Sequence, residues 1–388
     1  MSEFALTEEA VLGAARAAAG LSDFGDPAFL PGLRVLLETY DRGAGLDELG
    51  RKLAFRRVVQ LLGTRLRAEQ ALQSSPEIRA QKIRRPLYLT GLPRTGTSAL
   101  FNLLGCDPNA RPLLLWEGFF PDPLPGLAPG TPDPRYLAVK AAYERMRERD
   151  GGFAKIHFAS ADTPEECVLL LAHAFCDVQM GIEVLVEPYA SWFRQQDLRP
   201  AYRYYLDLLR MLQLRRPGAR WLLKSPAHLW AIDVLLEQIP DACIVFTHRD
   251  PRECVASYCS MLESLLESRH FAPLSDLGPR VLEYLAASLE RGLAMRDRAE
   301  PGRFLDVAYD DFVADPLREA HRIHAHFGLD FSAEVERAMR EHVGAHPQGE
   351  HGAHEYELER YGLSPRMVLD RLAGYCGRFD LARDAGSH

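Results

Sequence analysis

The segment best suited to chemistry is the run LYLTGLPRTGTSALFNLLG at residues 87–105. An apolar stretch leads into a turn framed by Gly91 and Gly96, and a helical pattern follows at once. Glycines leave the backbone bare, so successive N–H groups can turn towards one anion, and a helix N-terminus attracts negative charge. Thr97 and Ser98 are predicted to begin that helix. The segment predicts a phosphate-binding loop; the alternative is a glycine-rich turn without a ligand.

This loop lacks the lysine on which nucleoside triphosphatases depend. Aligned with the pattern GxxxxGK[ST], the chain has Thr97 where the lysine should stand, followed by Ser98. That lysine normally reaches the β- and γ-phosphates. Here the cation is moved forward to Arg94. The pattern therefore favours a 5'-phosphosulfate over a magnesium-bound triphosphate.

A second candidate anion site lies in the run ACIVFTHRDPRECVASYCSM at residues 242–261. Arg249 follows a predicted strand, and Ser257 stands eight positions later in a predicted helix that begins at Pro251. A guanidinium offers a forked donor to phosphate oxygens, and a hydroxyl adds another hydrogen bond. The alternative for Arg249 is a surface ion pair. A triphosphatase would deliver an aspartate to magnesium here, whereas this strand delivers His248 and Arg249.

The segment 92–98, LPRTGTS, resembles the 5'-phosphosulfate loop of sulfotransferases that use 3'-phosphoadenosine-5'-phosphosulfate (PAPS), particularly the bacterial group with PR[ST]GT[TS]. Arg249 and Ser257 match the family's 3'-phosphate ligands position for position. The resemblance extends over roughly 86–330. It implies a sulfotransferase with PAPS as co-substrate and PAP, the 3',5'-bisphosphate, as product. The residues that it assigns to PAPS are Pro93, Arg94, Thr95, Gly96, Thr97, Ser98, Lys224, Arg249 and Ser257.

Lys224 stands at the predicted carboxyl end of another strand, in the run WLLKSPAH. Open α/β sheets bind ligands at that edge. Lys224 would assist with the nucleotide phosphates or with the sulfonate, and the alternative is a strand-end lysine in solvent. Tyr309, Asp310 and Asp311, where the family carries Tyr-Glu-Asp, are interpreted as structural residues at a strand-to-helix junction.

Sulfonate transfer requires a base for the acceptor hydroxyl and positive groups near the leaving phosphate. Glu117 follows the predicted strand Pro112–Trp116, which an ordinary parallel order would put beside the phosphate loop. Several bacterial and Golgi-type sulfotransferases use a glutamate as base, and Glu117 matches the family's Trp-Glu. The resemblance thus implies Glu117 as base, with Arg94 acting on the transferred group. A solvated strand-end carboxylate is the alternative reading of Glu117.

His157 is the alternative base. Glu165 and Glu166 follow it and are interpreted as charges at a helix N-terminus. A histidine cluster near the carboxyl terminus lacks any cysteine partner, so no metal site is predicted. Its members are His342, His346, His351 and His354.

The elements that must position these residues are short apolar runs, each followed by a turn and a helical pattern, which predicts a parallel sheet with crossover helices. The predicted strands are Leu87–Thr90, Pro112–Trp116, Trp221–Lys224, Cys243–Thr247 and Phe304–Ala308. Residues 1–84 are predicted to form a helical layer packed on an α/β domain, 85–388. An insertion at 118–219, with a helix over Pro164–Met180, would build the substrate pocket. The predicted fold is therefore α/β, with a P-loop-like parallel sheet flanked by helices.

Composition limits the classes of partner. The chain has 388 residues, 47% of them hydrophobic, and a net charge of −8, which argues against nucleic acid. Seven cysteines without CxxC spacing indicate a reducing compartment. No run approaches the ~18 apolar residues of a membrane span, so a cytoplasmic location is predicted. A homo-oligomer stays among the alternatives.

The expected acceptor is a small, apolar molecule with a hydroxyl group, such as a lipid, quinone, polyketide or phenolic alcohol. Aromatic residues in the insertion indicate an apolar pocket, although at helical spacing they also suit a core. They are Phe153, Phe158, Trp192, Phe193, Tyr202, Tyr204 and Tyr205. Two other functions stay open: a nucleotide or small-molecule kinase with a degenerate P-loop, and a non-catalytic PAP-binding protein.

Overall fold

The computed structural model describes residues 4–124, 126–127, 131–149, 160–178, 182–345 and 357–381. Contacts between residues divide the chain into two compact units. The helical unit comprises Met1–Ile83, Leu113–Gly218 and Ser264–Pro273, and the sheet unit comprises Arg84–Pro112, Ala219–Glu263 and Leu274–His388. This division joins the N-terminal helices with nearly all of the insertion, which the sequence had assigned to the α/β domain.

Among the described residues, the sheet unit has a five-stranded parallel sheet with the order β2-β3-β1-β4-β5. The strands are β1 Leu87–Gly91, β2 Ala110–Pro112, β3 Arg220–Lys224, β4 Cys243–His248 and β5 Phe304–Ala308. Every residue of β1 and β4 is buried, as continuous apolar runs predict for strands covered on both faces. The α/β prediction is confirmed, but β3 separates β2 from β1, so the second strand does not flank the strand of the phosphate loop.

The predicted strand Pro112–Trp116 is wrong in its position. Strand β2 ends at Pro112, and Leu115–Phe119 forms a short helix. The apolar residues after β2 leave the sheet and pair with another part of the insertion: the N–H of Leu115 donates to the carbonyl of Thr163 at 2.9 Å. Apolar content alone cannot distinguish these two ways of burying the same leucines.

The helices of the sheet unit cover the sheet and build its core. They are Thr97–Leu104, Ile232–Gln238, Pro251–Ser268, Leu277–Arg296, Tyr309–Ala314, Pro316–Phe327, Ala333–Ala345, Pro365–Arg371 and Ala373–Phe379. Leu87 and Leu89 of β1 pack with Phe101 and with Val245 of β4 in one buried cluster. This core fixes the strand ends from which the candidate site residues emerge.

The helical unit contains the N-terminal helices and most of the insertion. Its helices are Glu8–Ala19, Leu30–Glu38, Glu48–Ser74, Pro76–Ala80, Leu115–Phe119, Pro134–Arg149, Val168–Leu171, Tyr189–Phe193 and Arg199–Arg215. The predicted helix Pro164–Met180 is much shorter than expected, because Val168–Leu171 is followed by a 3-10 turn, Ala172–Ala174, that ends in the left-handed Phe175. Within the described ranges, no helix combines the length and apolar character needed to cross a bilayer.

A buried carboxylate ties together the three chain segments of the helical unit. Glu183 of the insertion is fully buried. Its Oε1 accepts from the hydroxyl of Tyr40 at 2.7 Å and from Arg57 at 3.4 Å, both in the N-terminal segment. Arg269, in the segment 264–273, donates to the same oxygen at 3.2 Å. One negative charge thus compensates guanidinium groups from two separate segments.

We expect Glu183→Ala to destabilise the protein by about 3–5 kcal/mol, because it leaves two partly desolvated guanidinium groups without their carboxylate. The free energy of unfolding, measured by urea denaturation, tests this. Glu38→Ala is the control: Glu38 forms an exposed ion pair with Arg42, 3.2 Å long, and its loss should change stability little. Equal effects of the two substitutions would contradict the role assigned to Glu183.

Candidate functional site

The loop after β1 adopts the backbone that its glycines predict. Gly91 has φ +140° and Gly96 has φ +80°, both in the region that favours glycine. A Cβ at Gly91 would lie 2.4 Å from the carbonyl oxygen of Thr247, and one at Gly96 would lie 2.7 Å from the ring of Tyr309. The helix begins at Thr97, as predicted. Its first N–H groups, which lack partners within the helix, are available to an anion.

Side chains hold this loop to the sheet. The hydroxyl of Thr95 lies 2.8 Å from the carbonyl oxygen of Leu92 and 2.6 Å from the hydroxyl of Thr247 on β4. Thr95 is 2% exposed and Thr247 is 1% exposed. The loop is therefore fixed in place by buried hydrogen bonds, as a preorganised anion site requires.

The structure brings the two predicted anion sites into direct contact. Arg94, in the left-handed region with φ +69°, donates from Nε to the hydroxyl of Ser257 at 2.9 Å. Arg249 donates from a terminal nitrogen to the carbonyl oxygen of Arg94 at 3.2 Å. Ser257 lies in the helix Pro251–Ser268, which begins at the predicted proline. The sequence predicted each group separately, and only the fold shows that they touch.

Arg249 is held by contacts on two sides. Its guanidinium lies 4.0 Å from the centre of the Tyr309 ring, and it pairs with Glu253 one turn into the next helix. Its Nε is buried and has no hydrogen-bond partner among the described residues. An unsatisfied buried donor on a cation fits a site that receives an anion. A surface ion pair, the alternative for Arg249, accounts for the contact with Glu253 but not for the Tyr309 ring or the buried Nε.

Lys224 is 2% exposed at the end of β3, so the alternative of a strand-end lysine in solvent is wrong. Its ammonium donates to the hydroxyl of Ser98 at 2.9 Å, at the start of the helix after the loop. It also lies 5.6 Å from the centre of the Phe101 ring. A buried ammonium has a large desolvation cost, which a bound anion would offset.

These residues share one edge because four neighbouring strands are parallel. The loop, Lys224, Arg249 and Tyr309 follow the carboxyl ends of β1, β3, β4 and β5, respectively. Open parallel sheets bind ligands at that edge. Tyr309 had been interpreted as structural, yet its ring contacts both Arg249 and the position of Gly96.

Sequence reasoning missed a polar network beside Arg249. His248, at the end of β4, places Nε2 2.7 Å from Asp306 Oδ1 and Nδ1 3.2 Å from the hydroxyl of Tyr375. Arg296 donates to both oxygens of Asp306, at 2.5 and 2.7 Å. Burial lowers the pKa of His248. Burial opposes ionisation of Asp306, but hydrogen bonds from Arg296 and His248 lower its pKa. An aspartate inside an otherwise apolar strand was the available signal.

Glu117 belongs to the helical unit and does not end a strand. It lies in the first turn of Leu115–Phe119 and is 2% exposed, so the alternative of a solvated carboxylate is wrong. Oε2 accepts from the N–H of Leu114 at 3.1 Å. Arg216 donates to both carboxylate oxygens, at 3.0 and 3.1 Å. These contacts orient the carboxylate and stabilise its negative charge.

The residue after Glu117, Gly118, is also held by a hydrogen bond. The carbonyl oxygen of Gly118 lies 3.2 Å from Nε2 of the buried His173. Burial lowers the pKa of His173 to about 4, so the ring is neutral at pH 7 and donates to that carbonyl. The sequence had given His173 no role.

The structure places the other residues that the sequence analysis named as follows. His157 lies outside the described residues, as do His346, His351 and His354. No group of three or more potential metal ligands occurs within the described part.

Glu165 and Glu166 precede the helix that begins at Val168, and Glu165 accepts from the N–H of Glu166 at 2.8 Å. The structure describes all seven cysteines, and no disulfide joins any of them within the described residues. Phe193, Tyr202, Tyr204 and Tyr205 are buried core residues, Trp192 is partly buried, and Phe153 and Phe158 lie outside the described residues.

Comparison with known proteins agrees with the geometry of the sheet edge. A model of the sulfotransferase family matches residues 86–333, which include every residue of the predicted anion sites. The chain belongs to the sulfotransferase family. The family resemblance and the α/β fold predicted from the sequence are thereby confirmed.

Two solved structures extend the likeness over nearly the whole chain of this sulfotransferase. Sulfotransferase STF1 from Mycobacterium tuberculosis H37Rv is 33% identical, with a TM-score of 0.82 over 96% of this chain and 100% of that chain. Sulfotransferase STF9 from Mycobacterium avium is 27% identical, with a TM-score of 0.89 over 98% of this chain and 99% of that chain. The N-terminal helices are therefore part of the shared structure.

A curated relative matches a shorter stretch. The omega-hydroxy-beta-dihydromenaquinone-9 sulfotransferase Stf3 of Mycobacterium bovis is 28% identical over 159 residues. The match covers 39% of this chain and 39% of that protein. It supports the family and leaves the acceptor of this chain to be tested.

We expect Gly96→Ala to destabilise the sulfotransferase by about 1–3 kcal/mol, because the new Cβ meets the Tyr309 ring and the backbone is left-handed. Gly302→Ala is the matched control, since nothing lies within 4 Å of its Cβ position and its φ is not positive. Thermal unfolding of both variants tests this. A Gly96→Ala protein as stable as the control would contradict the loop geometry.

Proposed function

We propose that this protein transfers a sulfonate group from PAPS to a hydroxyl group of a small, apolar acceptor, without a metal ion. The observation that carries the proposal is the direct contact between the phosphate loop and the strand end at Arg249. A bisphosphate nucleotide has two anionic groups, and one of them would bind at each of these two adjoining sites. Membership of the sulfotransferase family identifies the transferred group as a sulfonate.

The 5'-phosphosulfate would bind at the loop. Arg94 through Ser98 contribute backbone N–H groups at the start of a helix, and Lys224 contributes an ammonium group already bonded to Ser98. Pro93 is buried and fixes the entry to the loop. During transfer the bond from sulfur to the bridging phosphate oxygen breaks, and negative charge grows on the leaving phosphate. Arg94 and Lys224 would stabilise that charge.

The 3'-phosphate would bind to Arg249 and Ser257. The buried Nε of Arg249 offers a donor without another partner among the described residues. The Ser257 hydroxyl accepts from Arg94 and keeps its own proton for a further bond. The stacking of Arg249 on Tyr309 restricts the guanidinium, so less conformational entropy is lost on binding.

Glu117 is the proposed base. It would take the proton of the acceptor hydroxyl as the acceptor oxygen forms its bond to sulfur. Loss of this positive charge from the acceptor balances the negative charge that leaves with PAP. The ion pair with Arg216 supports a deprotonated, oriented carboxylate. His157 is retained as the alternative base.

An apolar acceptor is supported by the surroundings of Glu117 in the helical unit. Partly buried aromatic residues flank its short helix: Trp116, Phe119, Phe120 and Tyr136. The rings of Trp116 and Tyr136 are 5.8 Å apart in an edge-to-face arrangement. The relative named for a hydroxylated menaquinone derivative adds support for a lipid or quinone acceptor. A cytoplasmic location stays a prediction.

The nucleotide is tested by ligand-induced stabilisation. We expect PAP to raise the melting temperature, because both of its phosphates meet a site, and ATP with Mg²⁺ to raise it much less. At 100 times its Kd a ligand stabilises by about 2.7 kcal/mol, which differential scanning fluorimetry detects readily. Equal shifts from ATP and PAP would favour the kinase alternative, and PAP stabilisation without turnover on any acceptor would favour a non-catalytic PAP-binding protein.

The base is tested by Glu117→Gln. Glutamine keeps the size and some of the hydrogen bonding to Leu114 and Arg216 but cannot accept the proton. We expect kcat to fall by about 10²–10⁴-fold while PAP affinity changes little. Turnover with PAPS on a panel of hydroxylated quinones and phenols is the measurement, with calorimetry of PAP as the control for folding. Near-normal turnover in Glu117→Gln beside an inactive His157→Ala would transfer the role to His157.

A further inference from the structure

Tyr309 leaves the sheet beside Arg249. Strands β4 and β5 are parallel, and His248 is the partner of Ala308 in their register. The next residues along the chain, Arg249 and Tyr309, therefore emerge side by side at the carboxyl edge of the sheet. Strand β5 ends at Ala308, and the helix Tyr309–Ala314 begins at once, so no loop separates the tyrosine from the strand. The register of the sheet thus determines the position of Tyr309.

The Tyr309 ring contacts both proposed anion sites. The guanidinium of Arg249 lies over the ring, 4.0 Å from its centre. On the side of the phosphate loop, two ring carbons lie 2.7 and 3.0 Å from the position that a Cβ of Gly96 would take. A cation over an aromatic face is attracted by the negative charge of that face. One ring therefore packs on the loop and holds the proposed 3'-phosphate ligand next to it.

Arg249 has a second position open to it. It pairs with Glu253, whose side chain is 55% exposed, in the helix that follows. A guanidinium drawn wholly towards Glu253 would lose the bond that it now donates to the carbonyl oxygen of Arg94 at 3.2 Å. The attraction to the Tyr309 ring favours the position beside the loop. Without the ring, Arg249 would spend more time in other rotamers, and ordering it would weaken nucleotide binding.

The ring of Tyr309, and not its hydroxyl, makes these contacts. Within the part of the chain that the structure describes, the hydroxyl forms no hydrogen bond. Phe312 of the same helix is 7% exposed, and its ring also faces Gly96, 3.9 Å from the position of a Cβ. Phe312 therefore holds the helix against the loop without help from the Tyr309 hydroxyl.

We propose that Tyr309 is a positioning residue that determines the selectivity of the nucleotide site for a 3'-phosphate, because its ring keeps the Arg249 guanidinium beside the phosphate loop. The inference rests on the proposed function, since it takes PAP as the ligand of Arg249. Tyr309 acts through Arg249 and need not touch a phosphate itself. A nucleotide with a 5'-phosphate alone would gain nothing from the ring.

Paired affinities for PAP and AMP test this role, because AMP has the 5'-phosphate and lacks the 3'-phosphate. In Tyr309→Leu we expect the Kd of PAP, measured by calorimetry, to rise by about 3–30-fold, the range of a cation–π contact, and that of AMP to change by less than about twofold. Tyr309→Phe keeps the ring and should retain the parent's affinity for both. The KM for PAPS should rise in Tyr309→Leu, whereas kcat should stay within about threefold of the parent.

Phe304→Leu is the matched control. Phe304 begins the same strand at its opposite end, is 4% exposed, and has the guanidinium of Arg296 5.1 Å from its ring centre. The control loses an aromatic contact with an arginine away from the residues assigned to the nucleotide. It should unfold at a lower temperature and keep the parent's affinities. Equal losses of PAP and AMP affinity in Tyr309→Leu, or equal losses of PAP affinity in Tyr309→Leu and Tyr309→Phe, would overturn the inference.

A double-variant cycle separates positioning of Arg249 from a general loosening of the loop. Arg249→Gln removes the cation that the ring attracts. If Tyr309 acts through Arg249, adding Tyr309→Leu to Arg249→Gln should weaken PAP binding no further. A further loss in the combined variant would contradict the proposed role. A parent protein that binds AMP as tightly as PAP would instead refute the proposed function, which keeps the two failures distinct.

Discussion

The interaction on which the sheet unit's site depends is the contact between Arg94 and Ser257, supported by Arg249 against the carbonyl of Arg94. Three cationic side chains, Arg94, Lys224 and Arg249, follow adjacent strand ends, and the carboxylate paired with Arg249 is the exposed Glu253. Gathering like charges is unfavourable unless an anion compensates them. Their convergence is therefore unfavourable by itself, and the two anionic groups of a bisphosphate nucleotide would compensate it.

Each unit contains a carboxylate that accepts hydrogen bonds from side chains distant in the sequence. In the sheet unit, Asp306 accepts from His248 and Arg296, and this keeps the backbone before Arg249 in place. In the helical unit, Glu183 compensates Arg57 and Arg269 from separate segments. Charge-assisted hydrogen bonds of this kind favour one arrangement, because any rearrangement would separate the paired charges.

Glu117 combines a structural role with its proposed role as base. Its carboxylate completes the first turn of a short helix and pairs with Arg216, and both contacts favour the ionised form that a base requires. The same contacts hold the carboxylate in one orientation, so in the proposed reaction the acceptor hydroxyl would have to come to it.

The sequence by itself determined the glycine-framed turn before the helix at Thr97 and the strands β1, β3, β4 and β5. Both depend on local spacing: glycines before a helix, and continuous apolar residues in covered strands. Only the tertiary structure decided how those parts meet. It placed β3 between β2 and β1, turned the leucines after Pro112 into a loop and a short helix, buried Lys224, and joined His248 to Tyr375 and Asp306. Strand order and long-range hydrogen bonds join residues more than a hundred positions apart, so no local pattern records them.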